Sequence, residues 1–275
     1  WELGLMNITV PEVYGGPGLG CLENVLVTEQ LCWGCVGIGA GIMLNALPTE
    51  VLLAGGDEAQ KKTYLGRLVA GEYAAYAVTE PCAGSDVAGI QTRAVKRGNE
   101  YVLNGSKVWI SNANHSSFFT VLAKTDTEAG HRGMSFFLVD RDLPGFEVGN
   151  PIPKLGQKAG FTAEVFLYDV VVPESALIGK EGEGFNIAMK AFDGSRPMVA
   201  GFALGLMQRC IALSLEYALE RKTFGVPIIE HQAIAARQGI GHVRRRLGIE
   251  QQHIGDLVII VCQVQISATG DRDRL

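Results

Sequence analysis

The stretch Ala77-Val78-Thr79-Glu80-Pro81-Cys82-Ala83-Gly84-Ser85-Asp86-Val87-Ala88-Gly89 sets dense turn chemistry directly against an apolar run, and this junction constrains the chain more than any other feature. The run Tyr73 to Val78 predicts a short buried strand. Glu-Pro followed by Ala-Gly-Ser-Asp predicts a loop whose backbone amides can face an anion. Two readings stay open on local chemistry alone, a phosphate-cradling loop and an ordinary turn. The other glycine-rich segment, Gly16-Pro17-Gly18-Leu19-Gly20, has the wrong spacing for a dinucleotide fingerprint and no strand leading into it, so it reads as a loop.

The totals bound the function classes. A chain of 275 residues with 47% hydrophobic content has room for two domains or one large core. A net charge of −5 leaves no broad basic surface, so nucleic acid is not an expected partner, and Arg244-Arg245-Arg246 reads as a solvated stretch. The longest strongly apolar run, Met198 to Met207, holds two glycines and is shorter than the roughly 18 residues a bilayer span needs, so no membrane span is expected. Six cysteines at 21, 32, 35, 82, 210 and 262 form no regular framework, which points to free thiols in a reducing compartment. Cys32 and Cys35 have C-x-x-C spacing but lack a second ligand pair or a preceding buried strand, so no metal or redox site is expected there. The chain opens on Trp1, and its first twenty residues contain no expected targeting segment.

Texture changes along the chain predict four segments. Residues 1–72 read as a partial helical domain; Asp57 serves as N-cap with Gln60 three residues on, and Tyr64, Leu65, Leu68 and Val69 form one apolar stripe. Residues 73–178 read as an all-β domain. Its expected hairpin turns at Asn104-Gly105, between Tyr101–Leu103 and Lys107–Ile110, and further strands are expected at Phe118 to Ala123, Met134 to Val139 and Ala163 to Val172. Residues 179–236 read as a second partial helical domain after the glycine-rich hinge Gly179 to Phe185. Pro197 requires a kink or break in its long helix, and apolar residues on most sides between Met198 and Leu215 imply burial. Residues 237–275 read as a divergent tail, with a β-prone run from Leu257 to Cys262.

The strand-loop segment closely resembles the first signature of the acyl-CoA dehydrogenase family, flavoenzymes that introduce a 2,3-double bond into acyl-CoA thioesters, and its wording is most similar to the medium-chain branch. The resemblance runs from Trp1 to about Ala235 and implies an α+β fold: a helical N-terminal domain, a central β domain and an incomplete C-terminal helical bundle. It implies FAD lined by Tyr76, Val78, Thr79, Gly84 and Ser85, with Ser85 also meeting the CoA portion of the substrate. Trp109-Ile110-Ser111 resembles the second flavin segment, in which the indole packs on the isoalloxazine and the hydroxyl approaches N5; in isolation Trp109 would be a core aromatic. Phe192-Asp193-Gly194-Ser195-Arg196 resembles the substrate-facing segment, whose bland alternative is an exposed helix start with a capping Asp. Arg221-Lys222-Thr223-Phe224-Gly225 with His231-Gln232 resembles an element reaching FAD held largely by a neighbouring subunit, where a guanidinium beside a pyrophosphate makes charge-assisted bonds.

The same resemblance implies a homo-oligomer, dimer or tetramer, an electron-accepting flavoprotein partner, and fatty acid β-oxidation in the mitochondrial matrix. Departures from the family are equally definite. Ser195 stands where the long-chain and isovaleryl branches carry their catalytic Glu, and the Tyr-Glu-Gly-Thr-like segment that holds the medium-chain Glu is not found. The chain is therefore expected to be truncated at both ends relative to the family and to have little turnover as written, with no catalytic residue assigned. A non-catalytic flavin-binding or assembly protein of the same fold and an acyl-CoA oxidase are the alternatives.

Overall fold

The computed structural model describes residues 2–237, with side chains to 234. Arg244-Arg245-Arg246, Cys262 and the β-prone run Leu257 to Cys262 lie outside the described residues. The fold is α+β and divides into two compact units, one formed by the chain up to Gly20 with Gly37–Arg196, the other by Cys21–Val36 with the described residues from Pro197 onward.

The first unit is built on one mixed sheet. Its strands are β1 (Tyr73–Ala77), β2 (Arg93–Arg97), β3 (Glu100–Ser111), β4 (Ser116–Lys124), β5 (Met134–Asp140), β6 (Phe146–Val148), β7 (Thr162–Pro173) and β8 (Leu177–Ile178), in the order β6-β7-β3-β2-β4-β5-β8, with β1 parallel to β4. Tyr101, Leu103, Ile110, Phe118, Phe119, Phe136 and Phe137 are fully buried in its core. Helix α1 (Cys21–Met43) loses helical geometry at Cys35, and α2 (Ala46–Gly55) follows. The capping box expected at Asp57 and Gln60 is present, with the Gln60 amide on Asp57 at 2.7 Å and the Asp57 amide on the Gln60 side chain at 3.1 Å. It starts α3 (Glu58–Gln60), which runs through a π-helical turn, Lys61–Leu65, into α4 (Gly66–Val69). Leu65 and Leu68 are fully buried, while Tyr64 and Val69 pack against the same core.

The hairpin is displaced from its expected position. Asn104 and Gly105 lie inside β3, and the β2–β3 turn is Gly98-Asn99, with Gly98 at φ +62° and Arg97 paired to Glu100. Gly105 is required by contact instead: a Cβ there would sit 2.5 Å from the Thr92 hydroxyl. Asn104 exchanges two 2.9 Å hydrogen bonds with Asp169 on β7. A turn dipeptide has thus been used at a bulge, where positive φ and side-chain caps serve equally well.

In the second unit, α5 (Gly184–Glu220, begun in the first) carries Pro197 inside one helix, so of the expected kink or break the break does not occur. A proline there removes one backbone bond, to the Asp193 carbonyl, which a helix of 37 residues absorbs. Burial beyond Pro197 is also less than its composition implied: Val199, Leu206, Met207, Ile211, Leu213 and Leu215 are exposed. Among the described residues Cys21–Val36 covers only one stripe, through Gly201 against Thr28 and Gly205 against Glu29 and Trp33. By length and composition, α1 and α5 are long and apolar enough to cross a membrane, which the expectation taken from unbroken runs did not register; core helices of soluble proteins pass the same test. Glycine and alanine keep mean hydropathy high without long aliphatic stretches, a composition shared by helices that pack inside soluble proteins.

Candidate functional site

The loop after β1 is held at its base and open at its tip. Glu80 and Ala83 exchange backbone hydrogen bonds of 3.0 Å, which turns the chain at Pro81-Cys82. Val78 is buried and Thr79 half-buried. Beyond them Gly84 and Ser85 are exposed, and among the described residues their amides donate to no protein acceptor. A Cβ on Gly84 would meet open space. Two free, adjacent amides on a fixed loop are an anion-binding feature.

The strand segment tied to the base of this loop through the Val108 amide departs from regular geometry at the next residue, Trp109. Between Lys107 and Ile110, β3 spends one residue more than β7, a bulge in which Trp109 takes φ +62°. Positive φ is uncommon for a bulky residue and marks a strained, over-determined position. The indole is 54% exposed while Ile110 is buried in the core and Ser111 half-buried. The core-aromatic reading of Trp109 is therefore ruled out.

A buried ion pair joins the two segments. Lys107 Nζ lies 2.8 Å from Glu80 Oε1 and donates to the Val78 carbonyl at 3.1 Å, with both side chains essentially inaccessible. Burial pulls the Lys107 ammonium down to about 8 against the attraction of Glu80. Burial would raise the Glu80 carboxyl, but the Lys107 ammonium and hydrogen bonds from Thr92 and the Gln91 amide outweigh it and hold the group below its ordinary value. The Val108 amide adds a 2.9 Å bond to the Thr79 carbonyl.

Tyr76 and Phe192 come together, their ring centroids 5.7 Å apart, with Phe136 5.8 Å from Tyr76 on another side. Among the described residues the Tyr76 hydroxyl is buried without a hydrogen-bond partner, and burial pushes its phenol well above the usual range. One turn along α5, Arg196 pairs with Asp193 at 2.8 Å and lies over the Phe192 ring. Ser195 is buried and its hydroxyl donates to the Phe192 carbonyl at 3.3 Å. The other predicted site residues belong to the second unit. There a hairpin of β9 (Lys222–Thr223) and β10 (Val226–Pro227) carries Phe224 at its tip, 97% exposed at φ +54°. Thr223 Oγ1 and His231 Nε2 are 2.7 Å apart, Arg221 is exposed, and Gln232 is exposed at the start of α6 (Gln232–Arg237).

Three family models match in succession: acyl-CoA dehydrogenase, N-terminal domain, over residues 1–72; middle domain, over 75–170; and C-terminal domain, over 182–247. Butyryl-CoA dehydrogenase from Megasphaera elsdenii superposes with a TM-score of 0.87 at 33% identity, covering 96% of this chain and 70% of that one. The chain belongs to the acyl-CoA dehydrogenase family. A structure of the electron transferring flavoprotein of Acidaminococcus fermentans matches with a TM-score of 0.87 at 35% identity, covering 97% of this chain and 69% of that one. Among curated proteins, a probable medium-chain specific acyl-CoA dehydrogenase 2, mitochondrial, of Caenorhabditis briggsae is 47% identical over 85% of this chain and 58% of its own length. The chain thus spans about three-fifths of the curated relatives it matches.

For an acyl-CoA dehydrogenase family member, the residues that sequence reasoning passed over are Glu80, Thr92 and Lys107. A signal was present: Tyr101, Leu103 and Lys107 share one parity on β3, so a lysine was due on the buried face and needed an anion. Elsewhere, a cleft of about 620 Å³ beside Arg67 and Arg141 contains none of the predicted site residues. Its Arg67 is already paired with Glu72 at 2.9 Å and with Asp140.

Proposed function

We propose that the protein containing this chain is an FAD-dependent oxidoreductase that introduces a 2,3-double bond into acyl-CoA thioesters. The observation that carries this reading is the exposed, positive-φ Trp109 on a strand segment tied through Lys107 and Val108 to the base of the loop that bears the free amides of Gly84 and Ser85. Those features fit FAD: the amides suit its pyrophosphate, the indole offers a flat apolar plate, and the unpartnered Tyr76 hydroxyl marks a buried polar position at the same sheet end. When bound, FAD supplies the two-electron acceptor that no side chain can provide. Around it, Val78, Thr79, Ile110 and Ser111 line the pocket, Ser85 meets the substrate's CoA portion, and Phe192, Asp193 and Arg196 face the substrate. Arg221, Thr223, Phe224, His231 and Gln232 serve FAD across a subunit boundary. Ser195 is not a base, since its hydroxyl is buried and donates within its own helix turn.

The exposed apolar residues of α5 support assembly into a homo-oligomer. Relatives named as mitochondrial support a matrix location and a role in β-oxidation, and the likeness to the electron transferring flavoprotein structure supports a flavoprotein electron acceptor. The test is a titration of purified protein with FAD, followed anaerobically by a medium-chain acyl-CoA. Flavin absorbance that accompanies the protein supports the reading; folded protein that neither retains nor takes up FAD refutes it. Peroxide release in air with substrate would identify an oxidase instead.

A further inference from the structure

We propose that the buried Glu80–Lys107 pair is a clamp that positions the two flavin-contacting segments relative to each other, so that FAD affinity depends on it although neither side chain touches the cofactor. This role rests on the flavin reading above. The Glu80 carboxylate accepts from Lys107 Nζ at 2.8 Å, Thr92 Oγ1 at 2.6 Å, the Thr92 amide at 3.1 Å and the Gln91 amide at 2.6 Å. Lys107 reaches back to the Val78 carbonyl at 3.1 Å, and the Val108 amide to the Thr79 carbonyl at 2.9 Å. Three chain segments therefore meet on one carboxylate: the start of the loop, its return into β2, and the bulge of β3. Gly84-Ser85 lie between the first two, and Trp109 is two residues beyond Lys107.

Stability does not explain the arrangement. A fully buried ion pair gains little over well-packed apolar residues, because desolvation offsets most of its attraction. Nor does direct electrostatics, because the pair is neutral overall and its ammonium is inaccessible and already bound to two oxygens. What the pair supplies is direction. Apart from the Glu80–Ala83 bridge and a 3-10 turn at Val87–Gly89, the loop has no regular structure of its own. Its exposed amides point where the ends of the loop place them, and both ends are tied to Glu80.

The test separates folding from positioning. Lys107→Met leaves an unpaired buried carboxylate and should lower both the melting temperature and FAD affinity. In the double variant Lys107→Met/Glu80→Met the apolar pair should restore most of the melting temperature. FAD affinity, read by quenching of flavin fluorescence, should stay roughly ten- to a hundredfold weaker, as when a supporting shell is lost. Amide hydrogen exchange over residues 81–90, measured without FAD, should stay faster than in the wild type. Recovery of affinity and exchange together with melting temperature would overturn the proposal. Should the double variant not fold, Thr92→Val, which keeps the ion pair and removes only the hydroxyl bond from the loop's return to Glu80 Oε1, should weaken FAD binding several-fold at near-normal melting temperature, and unchanged affinity overturns the role. A wild-type chain that binds no FAD refutes the flavin reading itself, a result distinct from a wild type and double variant that bind FAD equally.

Discussion

Replacing Trp109 by glycine should separate the cost of a strained backbone from the benefit of a ligand contact. The residue holds φ +62° in a bulge and leaves 54% of its surface exposed. Glycine adopts this conformation freely, so relief of strain contributes on the order of 1 kcal/mol in favour of folding. Loss of the packed half of the indole, roughly 100 Å² at about 25 cal/mol per Å², costs about 2.5 kcal/mol in the other direction. In a domain of this size 1 kcal/mol moves the melting temperature by about 2–4 °C, so the net loss of about 1.5 kcal/mol should lower it by roughly 3–6 °C. Binding should respond differently. A Trp side chain buries on the order of 200 Å² when fully covered, so a flavin ring over the exposed half removes roughly 100 Å² of apolar surface. At about 25 cal/mol per Å² this is worth ~2.5 kcal/mol, or somewhat under a hundredfold in affinity. Flavin fluorescence titration and thermal melting of the same two proteins measure both terms. A drop in melting temperature well beyond 8 °C would show that the indole is a core element, and equal FAD affinity would show that no flavin rests on it.

Lys107 makes a pH prediction whose sign follows from its depressed value. Between about 8, where the folded protein releases the proton, and 10.5, where the unfolded chain does, the unfolded state holds more protons, so this group makes stability rise with pH by roughly 3 kcal/mol in total; the rise should vanish in Lys107→Met when urea unfolding is compared at pH 7.5 and 10. Arg221→Ala should weaken FAD binding and dimerisation together, while Arg93→Ala on the polar face of β2 should change neither; equal flavin affinity in the two variants would remove Arg221 from the site. Asn45→Ala should lower the melting temperature by roughly 5–10 °C, because the buried Asn45 side chain accepts the Ala74 amide at 2.7 Å and donates to Asn7 at 2.9 Å, and orphaning these groups costs about 1–3 kcal/mol each. A smaller loss would mean that water replaces the missing bonds.

Legibility in the sequence followed the range of the forces involved. The Asp57–Gln60 capping box spans four residues and formed as expected, as did the strand-to-loop junction after Ala77. The hairpin was misplaced because Gly98-Asn99 and Asn104-Gly105 are both turn dipeptides, and what separates them is distant: Asp169 on β7 caps Asn104, and Thr92 leaves no room for a Cβ at position 105. The exposure of α5 beyond Pro197 was not legible for the same reason, since burial depends on what packs alongside. Trp109 and Lys107 form the most instructive pair. Along an ideal β3 both would face the core with Tyr101 and Leu103. Two bulges of opposite sense prevent this, one on β7 near Asp169 and one on β3 at Trp109, and they return β3 and β7 to their original register by Ile110. The net register is therefore that of a regular pair, while locally the lysine faces inward to Glu80 and the tryptophan outward. Periodicity describes the strand on either side of this point and fails at it, because the candidate site is made from the departure itself.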